Sequence, residues 1–114
     1  MVTHGEPPYL ECSSLGDKRF SAFFAYVNGI SIEEQYQSAK EFDRPVLHWR
    51  HAKGKKANNQ EYVTALYAML WNVYIEQNPH LLEVLKAASG LSDEFGQEGH
   101  CCQATELWRI RNGE

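Results

Sequence analysis

The sequence predicts an α+β fold, a mainly helical single domain with a small antiparallel sheet. Its 114 residues are enough for one domain, and a hydrophobic fraction of 43% can form a core. Apolar residues recur three and four positions apart through much of the second half, as they do in amphipathic helices. An aromatic run ending at Asn28-Gly29 is typical of a β-hairpin. We therefore predict one domain over residues 1–114, with an irregular N-terminal segment over residues 1–18.

The sheet is predicted from residues 20–32. Residues 20–27 are rich in aromatic side chains and suit a strand, and Asn28-Gly29 can adopt the positive φ angles of a tight turn. Residues 30–32 would be the short return strand.

The first helix is predicted over about residues 32–42. Ser31 and Glu34 have the spacing of a capping box, in which each side chain bonds a backbone N–H at the helix start. Glu34 is then engaged by the cap, while Glu33 shares a helix face with Gln37 and Lys40. Glu33 is thus the glutamate free for another role.

Proline, glycine and asparagine residues mark the predicted helix ends in the rest of the chain. Pro45 can open a short helix that reaches about residue 53 and ends at Gly54. Asn59 can cap a long helix to about residue 77, and Asn78-Pro79 can begin another that Gly90 closes. We predict an ordered loop over residues 91–102 and a last helix over about 103–112. The predicted buried face of the long helix comprises Tyr62, Val63, Leu66, Leu70, Val73 and Tyr74.

Charge is unevenly distributed. Eleven Lys and Arg residues against fifteen Asp and Glu residues give a net charge of −4. A cationic patch on an acidic body suits a phosphate-bearing small ligand better than a long polyanion, which would be repelled beyond the patch. A solvated surface is the alternative interpretation. The patch comprises Arg44, Arg50, Lys53, Lys55 and Lys56.

A cytosolic location is expected. No window has the roughly 18 uninterrupted apolar residues of a membrane helix, and residues 1–8 lack the features of a signal peptide. Three cysteines, two of them adjacent, do not indicate a disulfide framework. We expect no membrane association and reduced thiols.

Neither a metal nor a cofactor is expected. His48 and His51 lie one helical turn apart and His100 precedes Cys101 and Cys102, but no paired zinc motif occurs in either half. No glycine-rich phosphate loop is present. We interpret the two adjacent cysteines as one buried and one partly exposed thiol, without a catalytic role.

Carboxylate chemistry is the stronger prediction. Glu33 lies in the first turn of a helix, and Asp93 lies in a glycine-containing segment that can face a cleft. Hydrolysis of a glycosidic bond uses one carboxylate to activate water and another to stabilise the cationic sugar. A first-turn glutamate and a capping aspartate with no catalytic role are the structural alternative.

Four segments resemble the NADAR (YbiA-like) family in order and approximate spacing. Residues 20–24 read FSAFF, residues 31–40 read SIEEQYQSAK, residues 77–81 read QNPHL and residues 106–111 read ELWRIR. The family patterns are approximately FSNFY, VEHxxQxxK, QNPxL and LMxVR. The resemblance spans residues 20–111, nearly the whole chain.

The resemblance implies an N-glycosidase acting on a phosphorylated ribosyl or ADP-ribosyl compound. Substrates of the family type are ADP-ribosyl-guanine, including ADP-ribosylated nucleic acid, and early intermediates of the riboflavin pathway. Glu33 matches the catalytic glutamate, and Asp93 is the best match for a loop aspartate. The substrate-binding residues that the resemblance implies are Phe23, Phe24, Gln37 and Lys40. Trp49, as a further ring that would stack on a base, and Arg50, as a cation of the patch that would hold phosphate with Lys40, complete the expected set.

Two alternatives remain open. Residues 93–96 read DEFG where the family has an aspartate followed later by Trp-Gly, so the chain could be a non-catalytic nucleotide or ADP-ribose binding module. An assembly protein that uses Trp49, Trp71 and Trp108 at an interface is the other, although core packing also explains tryptophans.

Overall fold

A computed structural model describes residues 1–96 and 102–114. Over these residues the chain is α+β, with a three-stranded sheet, a two-stranded hairpin and helices packed around one core. Two 3-10 turns lie at Lys18–Phe20 and Trp49–Ala52. The strands are β1 Val2–Gly5, β2 Tyr9–Glu11, β3 Tyr26–Val27, β4 Ile30–Ser31 and β5 Gly90–Asp93. The helices are α1 Ile32–Ser38, α2 Gln60–Gln77, α3 Pro79–Ala87 and α4 Gln103–Arg111.

The larger sheet is mixed and is built from segments predicted to be irregular. β5 is central, antiparallel to β1 and parallel to β2. The predictions of an irregular segment over residues 1–18 and of a loop starting at residue 91 are therefore wrong in part. These segments form strands because the backbones pack closely at Gly90, where a Cβ would lie 2.5 Å from the Glu6 carbonyl oxygen and 2.8 Å from that of His4. Such short strands carry almost no periodic signal.

The hairpin forms at the predicted turn, although its strands are shorter than predicted. β3 and β4 pair antiparallel, and Asn28 and Gly29 have φ angles of 55° and 82°. Residues 20–25 are not a strand, because the Ser21 carbonyl accepts the Ala25 N–H and folds the chain into a turn. This turn contacts the start of α1, where the Ala22 carbonyl accepts the Glu33 N–H at 3.0 Å.

The helix predicted over residues 32–42 ends at Ser38. Half of the predicted capping box is confirmed, since the Ser31 hydroxyl accepts the Glu34 N–H at 3.1 Å. The hydrogen bonds of the described residues do not include the predicted return bond from the Glu34 side chain. The end of the helix is set by tertiary contact, because the Glu41 N–H donates to the Asn59 side-chain oxygen at 2.9 Å instead of continuing the helix. The Asn59 amide also donates to the Ala39 carbonyl at 2.9 Å. Asn59 thus joins the end of α1 to the start of α2.

The short helix predicted from Pro45 to about residue 53 is reduced to the 3-10 turn Trp49–Ala52. Gly54 follows it with a φ of 78°, as expected of a terminating glycine. The cationic segment therefore continues as a loop over residues 53–56.

The long helix α2 is confirmed, with one error in its buried face. Tyr62 is 61% exposed, because the buried stripe begins at Val63 and neighbouring helical positions point about 100° apart. The fully buried Trp71 belongs to the core. Leu66 and Val73 are partly buried against the core. The buried residues are Val63, Tyr67, Leu70, Trp71, Tyr74 and Ile75.

The last two helices begin as predicted, but α3 ends at Ala87 and Gly90, predicted to close it, is the first residue of β5. α3 begins at Pro79 after Asn78, and Leu81 and Leu85 bury its inner face. α4 contributes Leu107 to the same core. None of the helices in the described part of the chain combines the length and the apolar character needed to cross a membrane.

Candidate functional site

One large cleft is bounded by α1, α2, α4, the edge of β1, the end of β5 and the loop over residues 53–56. Its volume is about 1540 Å³. Pockets for drug-sized ligands usually measure ~300–1,000 Å³, so this cleft has room for a dinucleotide-sized compound. Its wall includes Glu33, Gln37, Asp93, Phe23 and Lys53. We call it the central cleft.

Glu33 and Gln37 form a buried pair on the α1 wall of the central cleft. Glu33 is 8% exposed and Gln37 is 5% exposed. The Gln37 Nε2 donates to Glu33 Oε1 at 3.0 Å, across one helical turn. The Gln37 Oε1 accepts no hydrogen bond from residues 1–96 or 102–114. A buried acceptor without a donor costs about 1–3 kcal/mol, which a ligand or water that donates to it would recover.

Asp93 lies at the end of β5 and is 2% exposed. Its Oδ1 accepts the Phe95 N–H at 3.1 Å. Its Oδ2 accepts the Gln103 Nε2 at 2.7 Å and the Cys102 thiol at 3.2 Å. The carboxylate is therefore the acceptor in each of these hydrogen bonds from the described residues. Because both oxygens are bonded, the orientation of the carboxylate is fixed.

Phe23 and Phe24 form an aromatic rim beside the carboxylates. Both line the central cleft and are 39% and 48% exposed. The Lys53 ammonium lies 4.7 Å from the centre of the Phe23 ring, and the Lys18 ammonium lies 4.8 Å from that of Phe24. Exposed rings beside cations can stack on a base while the cations attract phosphate.

The structure divides the predicted cationic patch. Lys53, Lys55 and Lys56 line the central cleft. Arg44 and Arg50 do not line it over the described residues, and neither does Trp49. The Arg50 guanidinium lies over the Trp49 ring at 5.2 Å on the 3-10 turn. Trp49 and Arg50, both predicted to bind substrate, therefore do not line the cleft wall with Glu33 and Asp93 in the described part of the chain.

Lys40 lines the cleft in a different role from the predicted phosphate contact. Its ammonium donates to the Ala52 carbonyl at 3.1 Å and to the Lys55 carbonyl at 2.8 Å. It also lies 5.0 Å from the centre of the Tyr36 ring. Lys40 therefore ties the cationic loop to α1.

Polar residues of α4 that were not predicted also line the central cleft, Gln103 and Glu106 among them. Gln103 contacts Asp93 as described, and Glu106 is 7% exposed and accepts from Arg109 at 2.8 Å. Burial raises the pKa of Glu106, and Arg109 partly offsets the rise. Sequence reasoning placed both residues only on the last helix, since the contact between α4 and β5 joins elements without a local sequence signal.

The cysteines and histidines do not add a reactive centre to the described cleft. Burial raises the pKa of Cys102 to about 11 and raises that of Cys12 further. Across residues 1–96 and 102–114 no group of three His, Cys, Asp or Glu side chains could hold a metal ion. The predictions on His100 and Cys101 fall outside the described residues.

No protein-family model, curated protein or solved structure matches this chain. The residues of the central cleft and the resemblance of the motifs are therefore the two indications of function.

Proposed function

We propose that the protein is a NADAR-like N-glycosidase that hydrolyses the N-glycosidic bond of a phosphorylated ribosyl or ADP-ribosyl compound. The observation that carries the proposal is that Glu33 and Asp93, both more than nine-tenths buried, line one cleft. They come from α1 and β5, which are 60 positions apart in the chain. Carboxylates placed in one cleft are what glycosidic hydrolysis requires.

Glu33 would act on the attacking water. The water oxygen forms a bond to the anomeric carbon while the bond from that carbon to the base nitrogen breaks. Glu33 accepts one proton from the water and later releases it to solvent, while the leaving nitrogen takes up one proton from solvent, so a single water molecule is consumed and Glu33 returns to its carboxylate form. The Gln37 Oε1 accepts no hydrogen bond from the part of the chain that the structure describes, so it can accept one from the second O–H of that water.

Asp93 would stabilise the positive charge that develops on the sugar. Its oxygens accept from Phe95, Cys102 and Gln103, and these contacts limit the movement of the carboxylate. Electrostatic stabilisation is most effective when the charged group is already oriented before the reaction.

The rest of the cleft supports a ligand that combines a base with phosphate. Phe23 and Phe24 are the stacking surface, and Lys53, Lys55 and Lys56 supply positive charge. A ribosyl monophosphate or an ADP-ribosyl group, free or on a guanine of nucleic acid, has both parts. We place the reaction in the cytosol, because Cys12 and Cys102 are free thiols.

One observation favours a second candidate, a non-catalytic nucleotide or ADP-ribose binding module. Asp93 accepts three hydrogen bonds from the described residues, which is also the behaviour of an aspartate that only shapes a loop. This candidate keeps the aromatic rim and the lysines but forms no product.

The test is a chromatographic turnover assay of the wild type and Glu33→Gln. ADP-ribosylated guanine nucleic acid and phosphoribosylamino-pyrimidine compounds are the substrates, and binding of ADP-ribose is followed in parallel. Glutamine at position 33 can still accept from Gln37, so the melting temperature should stay nearly unchanged. Turnover should fall by at least ~100-fold, as for loss of a catalytic base.

Glu34→Gln is the matched control, since Glu34 is the next residue of α1 and does not line the cleft. It should keep wild-type turnover. Turnover retained in Glu33→Gln would overturn the assignment of Glu33. Binding without turnover in the wild type would favour the binding module, and neither binding nor turnover would reject both candidates.

A further inference from the structure

Three hydrogen bonds, which pass through Gln103 and the backbone of Ala22, link the Asp93 carboxylate to the backbone of Glu33 in the central cleft. The Gln103 Nε2 donates to Asp93 Oδ2 at 2.7 Å. The Gln103 Oε1 accepts the Ala22 backbone N–H at 3.2 Å. The carbonyl of the same Ala22 accepts the Glu33 N–H at 3.0 Å. Gln103 is therefore the side chain through which β5, the turn before the hairpin and α1 meet.

The polarity of these bonds fixes the orientation of the Gln103 amide. The Ala22 N–H can only donate, so the amide oxygen must face it. The amide nitrogen then faces Asp93, where the carboxylate accepts. A side chain in this position must donate at one end and accept at the other, and it must span the gap between the two elements.

We infer that Gln103 is a positioning residue, which holds Asp93 in a fixed relation to Glu33 so that both carboxylates face the same bound ligand. The inference deepens the proposed function and rests on it. Gln103 itself lines the central cleft. Its predicted effect is on the orientation of Asp93, while Glu33 keeps its contact to Gln37.

Two substitutions separate positioning from support of the fold. Gln103→Leu removes both bonds. Gln103→Glu can still accept from Ala22, but it places a second acceptor 2.7 Å from Asp93 Oδ2, where the native amide donates. If Gln103 only supported the fold through Ala22, Gln103→Glu would keep wild-type turnover. The positioning role predicts that both variants are impaired.

Gln35→Leu is the matched control. Gln35 donates to the Val27 carbonyl at 2.8 Å and to the Ile30 carbonyl at 2.9 Å, so the same replacement again removes two hydrogen bonds. Gln35 supports the hairpin and does not line the central cleft. Its replacement should lower the melting temperature without changing kcat.

The kinetic experiment measures kcat and KM of these variants on the compound that the wild type hydrolyses. We expect kcat of Gln103→Leu and Gln103→Glu to fall on the order of 100-fold, the cost of a misplaced catalytic group. KM should change by less than about 3-fold, because the aromatic rim and the lysines are untouched. A wild-type kcat in Gln103→Glu, or an equal loss in Gln35→Leu, would overturn the inference.

A second experiment needs no turnover and so separates this inference from the proposed function. Amide hydrogen exchange at Ala22 is measured by NMR in the wild type, Gln103→Leu and Asp93→Ala. Asp93→Ala removes the acceptor that holds Gln103 and should speed exchange at Ala22, two hydrogen bonds away. Unchanged exchange in Asp93→Ala would overturn the link. Faster exchange in a protein without turnover would keep the link and reject the N-glycosidase.

Discussion

Lys40 anchors the cationic loop, and its replacement offers a sharp test of how the central cleft is assembled. The Lys40 ammonium donates to the carbonyls of Ala52 and Lys55, on either side of Gly54. Lys40→Met keeps much of the stem of the side chain and removes the charge and both bonds. The loop over residues 53–56 should then lose its attachment to α1.

The size of the effect follows from the two contacts. A hydrogen bond to a charged group contributes about 1.5–3 kcal/mol in a protected site. Lys40 is only half-buried, so solvent screening reduces each contribution to roughly 0.5–1 kcal/mol. We expect Lys40→Met to lower the free energy of unfolding by about 1–2 kcal/mol, which corresponds to roughly 4–8 °C in Tm.

Urea unfolding and limited digestion with trypsin measure the two consequences. The loop carries Lys53, Lys55 and Lys56 as cleavage sites, so a detached loop should be cut sooner in Lys40→Met than in the wild type. Mass spectrometry of the fragments locates the cuts. Binding of ADP-ribose should weaken as well, because the loop lysines are no longer held at the cleft.

Lys56→Met is the control with the same charge change. Lys56 lines the same cleft, and among the described residues its side chain makes no hydrogen bond to the protein. It should weaken binding of ADP-ribose but leave stability within about 0.5 kcal/mol of the wild type. The reasoning is refuted if Lys40→Met unfolds and is digested like the wild type, or if Lys56→Met is equally destabilised.

Three further predictions concern the thiols, a buried carboxyl and the central strand. With a pKa of about 11, Cys102 is a thiolate to only ~0.1% at about pH 8, so iodoacetamide should label Cys102 and Cys12 only after unfolding, as read by peptide mass spectrometry. Because burial raises the pKa of Glu106, its protonated form stabilises the fold at low pH and this contribution is lost as the pH rises through that pKa. Glu106→Gln should therefore raise Tm near pH 7 by less than ~4 °C, with no gain near pH 3. Gly90→Ala should lower the free energy of unfolding by roughly 1–3 kcal/mol, read as a lower urea midpoint, since the new Cβ would meet the carbonyl oxygens of His4 and Glu6 and the ring of Tyr9.

Each of these predictions has an outcome that contradicts it. Labelling of Cys102 in the folded protein would show that its thiol is not buried as described. A destabilised Glu106→Gln near pH 7 would mean that the ion pair with Arg109 outweighs the burial of the carboxyl. An unchanged urea midpoint in Gly90→Ala would mean that the sheet can separate its strands at no cost.

Local sequence signals predicted the elements that are stabilised locally. The Ser31 cap, the Asn28-Gly29 turn and the start of α3 at Pro79 each depend on residues a few positions apart. The long helix α2 was predictable because its buried face repeats over five turns. The pairing of β1 and β2 with β5 was not predictable, because three- and four-residue strands have too little pattern to separate them from loops.

For the candidate site, sequence reasoning identified Glu33 by elimination and Asp93 by resemblance. Their common cleft depends on the path of the chain between positions 33 and 93. Gln103 and Glu106 were missed, since a polar residue on a helix has no local mark of the neighbour it will contact. Trp49 was expected at the site as an aromatic ring and Arg50 as a cation of the patch, but the 3-10 turn holds them away from the cleft wall.

The amino-acid sequence by itself determined the start of α1 at its Ser31 cap, the start of α3 at Pro79, the hairpin turn and the cationic loop. Those features follow from backbone preferences and short-range hydrogen bonds. The tertiary structure alone decided where α1 ends, because the Glu41 N–H finds Asn59, and which cations reach the cleft, because Lys40 holds the loop. Both features are set by long-range hydrogen bonds to backbone groups. The partners of these bonds lie too far apart in the chain to leave a pattern in the sequence.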